Sequence, residues 1–268
     1  MKLFYREKGR GNRTIIIVHG LYGASDNWFS VARDLEKDYR IILVDQRNHG
    51  QSPHSKEHTY HAMSDDLLEL INRLQIEKTI LLGHSMGGKT VMRFCLEYPE
   101  MVEKMIVVDI APKSYESFAG YAEITANHNK IIKSLSELDP AQFNNRREID
   151  KVLSLSFPQE RLRAFLMKNL IRHKEGYYSW QLNLDALKNN MKEIMNGFSD
   201  LEIDKNKKIP ETIFIKGEAS PYIHESDSKI INKFFPKAQI ITIPKAGHWV
   251  HADKRDLFVK TVRYFLDI

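Results

Sequence analysis

A single cysteine, Cys95, stands in a chain of 268 residues, so no internal disulfide can form and a reducing compartment is implied. It lies in the amphipathic stretch VMRFCLEYP, where a packed core thiol is expected rather than a reactive one. No apolar run approaches the length that crosses a bilayer. The opening MKLFYREKGRGN lacks the apolar centre of a signal peptide and reads as an edge strand and a turn, so a cytoplasmic protein is expected. A concentrated basic face is missing too. The net charge of +5 is spread over interspersed Lys, Arg, Asp and Glu, which speaks against a nucleic-acid partner. Internal repeats and low-complexity tracts are absent.

What the chain does have is an ordinary globular composition, 42% hydrophobic and 28% charged, and enough length to bury one large core with or without an insertion. TIIIVHG (14–20), RIILVDQ (40–46), TILLGHS (79–85) and KMIVVDI (104–110) are short, continuous apolar runs. Continuous rather than alternating hydrophobicity is the mark of parallel strands covered on both faces. Amphipathic stretches at 26–38, 64–75 and 86–100 separate them. In the second, Leu67, Leu70, Ile71 and Leu74 share one helical face, and Ser64 is the expected N-cap. The alternation predicts an α/β fold with a mostly parallel sheet and helices on both faces.

The rhythm resumes at 210 with PETIFIKG as a strand, ESDSKIINKFF as a helix, AQIITIP as a strand and DLFVKTVRYFL as a closing helix. Between them the sequence is helical in period and poor in strands. RLRAFLMKNLIR (161–172), for example, places Leu162, Phe165, Leu166 and Leu170 on one face. The expected organisation is therefore a core of residues 1–111 and 210–268 with a helical cap, positioned as a lid, at 112–209.

GHSMG at 83–87 fits the pattern Gly-x-Ser-x-Gly between a predicted strand and a predicted helix, the setting of a nucleophile elbow. A serine hydroxyl needs an adjacent base. Of the eleven histidines, His248 in PKAGHWVHAD, after the last strand and before the closing helix, is best placed to be that base. His19 is expected to bond loop backbone, His84 to point away from the reaction, and His49 and His251 to support the site from behind. The base needs a carboxylate partner. Glu218 lies one residue past the strand end at Gly217, in a position open to solvent. Asp45 is expected to tie down its own loop together with Arg47. Asp109 ends a wholly apolar run beside the nucleophile strand, and a carboxylate buried there is costly without a partner, so Asp109 is the acid expected. Ser220, where many serine hydrolases carry the acid, either bonds Asp109 or His248 or caps the turn at Pro221. The oxyanion donors expected by position are the backbone N–H groups of Met86 and Leu21.

Taken in order, HGLYG, DQRNHGQSP, GHSMGGK, VDIAP, GEASPYI and AGHWVHAD resemble the α/β-hydrolase superfamily, and within it the small YbfF-type bacterial esterases and their mitochondrial relatives in animals. The resemblance spans essentially the whole chain. VDIAP and SPYI are its specific parts, while GHSMGG is widely shared. It implies a Ser85–Asp109–His248 triad with Ser220 contributing, and esterase or thioesterase activity on small acyl groups, including acyl-CoA. No metal or organic cofactor is needed for that chemistry. The expected partner is a small-molecule ester or thioester, and the oligomeric state is not indicated. Phe118, Tyr121, Tyr178 and Trp180 are candidates to line an acyl pocket. Arg161, Lys168 and Arg172, on one predicted helical face, are candidates to attract the phosphates of CoA. A carbon–carbon lyase or acyltransferase on the same fold, with Lys89 as a substrate-binding cation, is the second reading. A non-catalytic receptor is the third.

Overall fold

The computed structural model describes residues 1–116, 122–198, 201 and 207–267. Strands β1 (Tyr5–Lys8), β2 (Thr14–Val18), β3 (Arg40–Val44), β4 (Thr79–His84) and β5 (Val102–Val108) precede the insertion. β6 (Leu170–Arg172) and β7 (Tyr178–Trp180) lie inside it, and β8 (Glu211–Gly217) and β9 (Gln239–Ile243) follow. Seven of them form one sheet in the order β1-β3-β2-β4-β5-β8-β9, parallel except for β1. The α/β fold read from the apolar runs is the fold observed.

Why those runs are continuous is visible in where alternate residues go. Ile15 and Ile17 of β2 face one core, together with α1 (Phe29–Leu35) and the closing helix, while Ile16 and Val18 face the other. The second core is covered by α2 (Tyr60–Arg73) and α3 (Met86–Glu97), and the inserted segment adds to it. Burying each such side chain contributes roughly 1.5–3 kcal/mol, so both sheet faces must be covered to hold the strands. Helix α2 begins a turn earlier than its leucine spacing indicates. Thr59 caps it by accepting the Ala62 N–H at 3.2 Å, and the expected cap Ser64 is an interior residue bonded to Glu97.

The inserted segment carries α4 (Ala122–Glu137), α5 (Arg146–Ser156), α6 (Glu160–Met167), α7 (Leu184–Asn189) and α8 (Met191–Met195). The helix expected over 161–172 stops at Met167. Leu170–Arg172 instead pairs with Tyr178–Trp180 in an antiparallel hairpin closed through Gly176 at φ 98°. Arg172 therefore sits on a strand and not on a face shared with Arg161 and Lys168. The chain then returns through β8, α9 (Ser228–Phe234), β9, α10 (Val250–Asp253) and α11 (Arg255–Phe265). Among the described residues no helix is long and apolar enough to cross a membrane.

The ends of β4, β5 and β8 are adjacent because their strands are adjacent, and this ordering assembles one rim from distant sequence. Close packing at that rim depends on Gly87, where an added Cβ would lie 2.3 Å from the Val18 carbonyl oxygen and 2.4 Å from that of His19. Both clashes are with backbone, which cannot move aside cheaply. Gly87→Ala is expected to lower stability by about 2 kcal/mol or more in urea unfolding. An unchanged midpoint would show that α3 can shift away from β2.

Candidate active site

Ser85 joins β4 to α3 with φ 52° and ψ −121°, a sparsely populated backbone state that costs about 1–3 kcal/mol. Two backbone bonds hold it there. Its N–H donates to the Val108 carbonyl at 2.9 Å, and its carbonyl accepts the Lys89 N–H at 3.1 Å. The side chain is thereby presented above the strand ends, on the wall of a cavity of about 540 Å³ that His248 also lines. Leu162 and Phe165 of α6, Trp249 and His128 supply other parts of that wall.

Asp109 follows β5 and also has a positive φ, 54°, with its N–H donated to the Ile215 carbonyl of β8 at 2.9 Å. Its carboxylate is wholly buried. Oδ1 accepts the Gly217 N–H at 3.0 Å, and Oδ2 accepts both the Ser220 hydroxyl and the His248 ring nitrogen Nδ1, the latter at 2.7 Å. A carboxylate only accepts, so Nδ1 carries the proton and Nε2 is left as the unprotonated nitrogen of the neutral ring. Gly217 allows this convergence. A Cβ there would stand 2.3 Å from the Gly247 carbonyl oxygen, in the loop that carries His248.

The other carboxylates considered from sequence are occupied elsewhere. Exposed Glu218 accepts the Lys245 N–H at 2.9 Å and so braces the loop after β9. Asp45 accepts the N–H groups of Ser25 at 2.6 Å and Gln51 at 2.8 Å, fastening its own loop, while Arg47 pairs with Asp66 at 2.6 Å. Ser220 both donates to Asp109 and accepts the Tyr222 N–H at 3.3 Å. The two contacts expected of it, a bond to Asp109 and a cap on the turn, thus coexist. Met86 opens α3, where an N–H has no intrahelical acceptor. The Leu21 N–H has no protein acceptor among the described residues.

Several expectations change. His84 does not turn away: its ring lies 4.7 Å from that of His248, and its Nε2–H donates to the His248 carbonyl at 2.9 Å. Trp180 is not part of the cavity wall. Its indole N–H donates to the Leu138 carbonyl at 3.2 Å, and it packs against the core from β7. Tyr178 is likewise buried in the core. Phe118 and Tyr121 lie outside the described residues. Arg161 and Lys168 do line the cavity. Lys89 does not. Its buried Nζ donates to the Met195 carbonyl at 3.3 Å and to that of Asn196, fastening α3 to the inserted segment. Sequence reasoning passed over Tyr222, whose ring stacks on His248 at 3.8 Å, and His128, which bonds the Tyr222 hydroxyl at 2.9 Å. Their only signal was that Tyr222 falls within the distinctive SPYI.

Comparison with known proteins gives a consistent picture. Residues 13–255 match the family described as alpha/beta hydrolase fold. A putative esterase/lipase of Haemophilus influenzae is 36% identical over 265 residues, covering 98% of this chain and 87% of the relative. Esterase YbfF of Escherichia coli is 32% identical over 260 residues, 96% of this chain and 94% of the relative. Among solved structures, a marine microorganism esterase superposes with a TM-score of 0.93 at 41% identity, covering 98% and 99% of the two chains. The likeness to YbfF-type esterases read from the motifs is borne out.

Burial also governs the titration of six histidines in the fold. Desolvation is the largest cause of lowered pKa at six histidines: His19, His49 and His84, His58 and His251 at about 3, and His128 at about 4. In the unfolded chain each would take up a proton near pH 6.5, while in the folded chain each stays neutral to lower pH. Acidification therefore feeds protons to the unfolded state first. The urea midpoint is expected to fall steadily as pH drops from about 6.5 to about 4. A midpoint that held or rose over that window would show these rings to be charged in the native protein.

Proposed function

The chain belongs to the α/β-hydrolase fold family as a hydrolase of the esterase and lipase type, and we propose that it cleaves carboxylic esters and thioesters through an acyl-enzyme on Ser85. The observation that carries this reading is the bond from His248 Nδ1 to the buried Asp109 carboxylate at 2.7 Å, on the cavity that Ser85 also lines. With Nδ1 committed as a donor, Nε2 is the basic nitrogen available to a serine hydroxyl.

In the reaction proposed, His248 takes the Ser85 proton as Oγ adds to the substrate carbonyl. The imidazolium so formed is stabilised by the Asp109 carboxylate. The backbone N–H groups of Leu21 and Met86 receive the negative charge that grows on the carbonyl oxygen. Collapse expels the alcohol or thiol, which takes its proton from His248. Water, activated by the same ring, then frees the acid. Ser220 keeps the carboxylate fixed by sharing Oδ2 with His248. Short to medium acyl groups suit the cavity, and Arg161 and Lys168 on its wall suit an anionic leaving group such as CoA.

Against the lyase or acyltransferase reading, the Lys89 side chain expected to bind substrate is buried and donates to backbone carbonyls instead. A receptor would not turn over esters at all. Kinetics on p-nitrophenyl esters and on acyl-CoA test the proposal. Ser85→Ala is expected to abolish turnover, and Asp109→Asn to lower kcat by about 10³–10⁴-fold through the wrong imidazole tautomer. Ser220→Ala is expected to cost about tenfold, the scale of one hydrogen bond to a charged group. An active Asp109→Asn beside an inactive Glu218→Gln would overturn the assignment of the acid.

A further inference from the structure

Asp109 holds one nitrogen of His248, but a single hydrogen bond leaves the imidazole free to swing about that contact. The opposite constraint comes from the face of the ring. Tyr222 lies flat on it, with centroids 3.8 Å apart and planes 15° from parallel. Tyr222 is itself fixed at three points. Its N–H rests on Ser220 Oγ at 3.3 Å, its carbonyl accepts the Tyr115 hydroxyl at 2.8 Å, and its own hydroxyl meets His128 Nε2 at 2.9 Å. The first two contacts hold the backbone, and the third is the only one that holds the far end of the ring among the described residues. His128 belongs to α4 of the inserted segment, and its carbonyl accepts the Tyr22 hydroxyl at 3.3 Å. Tyr22 follows Leu21, so one helix touches both the ring over the base and the loop that supplies an oxyanion donor.

We propose that Tyr222 is a positioning residue for His248, with His128 holding the tyrosine ring in place, so that helix α4 of the inserted segment sets the angle of the base. This rests on the role given to His248 above. A stacked ring restricts the imidazole to rotations in its own plane, keeping Nδ1 on Asp109 while Nε2 faces the cavity. Its π face also lies against the positive charge that the imidazole gains when it takes the serine proton, an attraction absent from the neutral ring. The contact therefore stabilises the transition state more than the bound substrate, and its loss should appear in kcat rather than in KM.

The test combines kinetics on p-nitrophenyl acetate with proton NMR of the downfield Nδ1–H of His248, which reads the bond to Asp109 without needing turnover. Tyr222→Leu is expected to lower kcat about tenfold with KM within about twofold, and to broaden or abolish the resonance. Tyr222→Phe keeps the ring and is expected to restore kcat to within about threefold and to retain the resonance. His128→Asn, which leaves the core strands untouched, is expected to lower kcat about threefold and broaden the resonance, and it serves if Tyr222→Leu does not fold. An unchanged kcat and resonance in Tyr222→Leu or, should that variant not fold, in His128→Asn would overturn the proposal. So would a Tyr222→Phe variant as impaired as Tyr222→Leu. If the wild-type protein hydrolyses no ester, the proposed function fails by itself, and the resonance still decides whether the ring positions the histidine.

Discussion

A carboxylate buried without solvent at the end of an apolar strand must be matched or be neutralised, and this constraint at Asp109 organises the rim of the sheet. Its two oxygens are matched by a backbone N–H of β8, a hydroxyl of the following loop and an imidazole from beyond β9. Leaving such a charge unpaired would cost several kcal/mol, more than most single contacts in the fold contribute. The same requirement draws the ends of three sequence-distant segments together, and Gly217 removes the side chain that would keep the last two apart. Order at the rim is thus a consequence of burial: the carboxylate is held by the groups it needs.

The inserted segment is tied to the core by polar contacts as well as by apolar burial. Asn169 donates to the Tyr22 carbonyl at 2.9 Å, the Asn183 N–H to the Asn48 carbonyl at 3.1 Å, and Lys89 reaches the end of α8. Each of these contacts ends on a loop or helix that begins at the carboxyl edge of the sheet. The cavity walls and the rim that carries Ser85, Asp109 and His248 therefore share supports, and a change in the segment is felt at the rim through fixed hydrogen bonds.

Much of this was legible in the sequence because it rests on periodicity and on strand ends. The apolar runs gave the strands to within two or three residues, since both sheet faces are covered and no polar residue interrupts them. Asp109 stood out because its carboxylate closes such a run, and Ser85 and His248 because each falls where a strand gives way to a helix. What escaped depends on tertiary packing. The hairpin of β6 and β7 was hidden by Leu166 and Leu170, whose four-residue spacing imitates a helix, although HKEGY between the strands holds the turn glycine. Trp180 is a candidate for the pocket as an aromatic of the inserted segment, yet its indole N–H is satisfied by the Leu138 carbonyl within that segment. Tyr222 and His128 meet across 94 residues of chain, a contact that neither propensity nor spacing encodes.

The central claim is that Ser85, His248 and Asp109 act as one unit, with the acid just after β5 and not at Glu218. Its most direct test is a crystal structure of the protein inhibited by a small alkyl fluorophosphonate. The account predicts phosphorus bonded to Ser85 Oγ, the phosphoryl oxygen about 3 Å from the N–H groups of Leu21 and Met86, and His248 Nδ1 still on Asp109. An adduct on another residue, or a His248 ring paired with a different carboxylate, would contradict it.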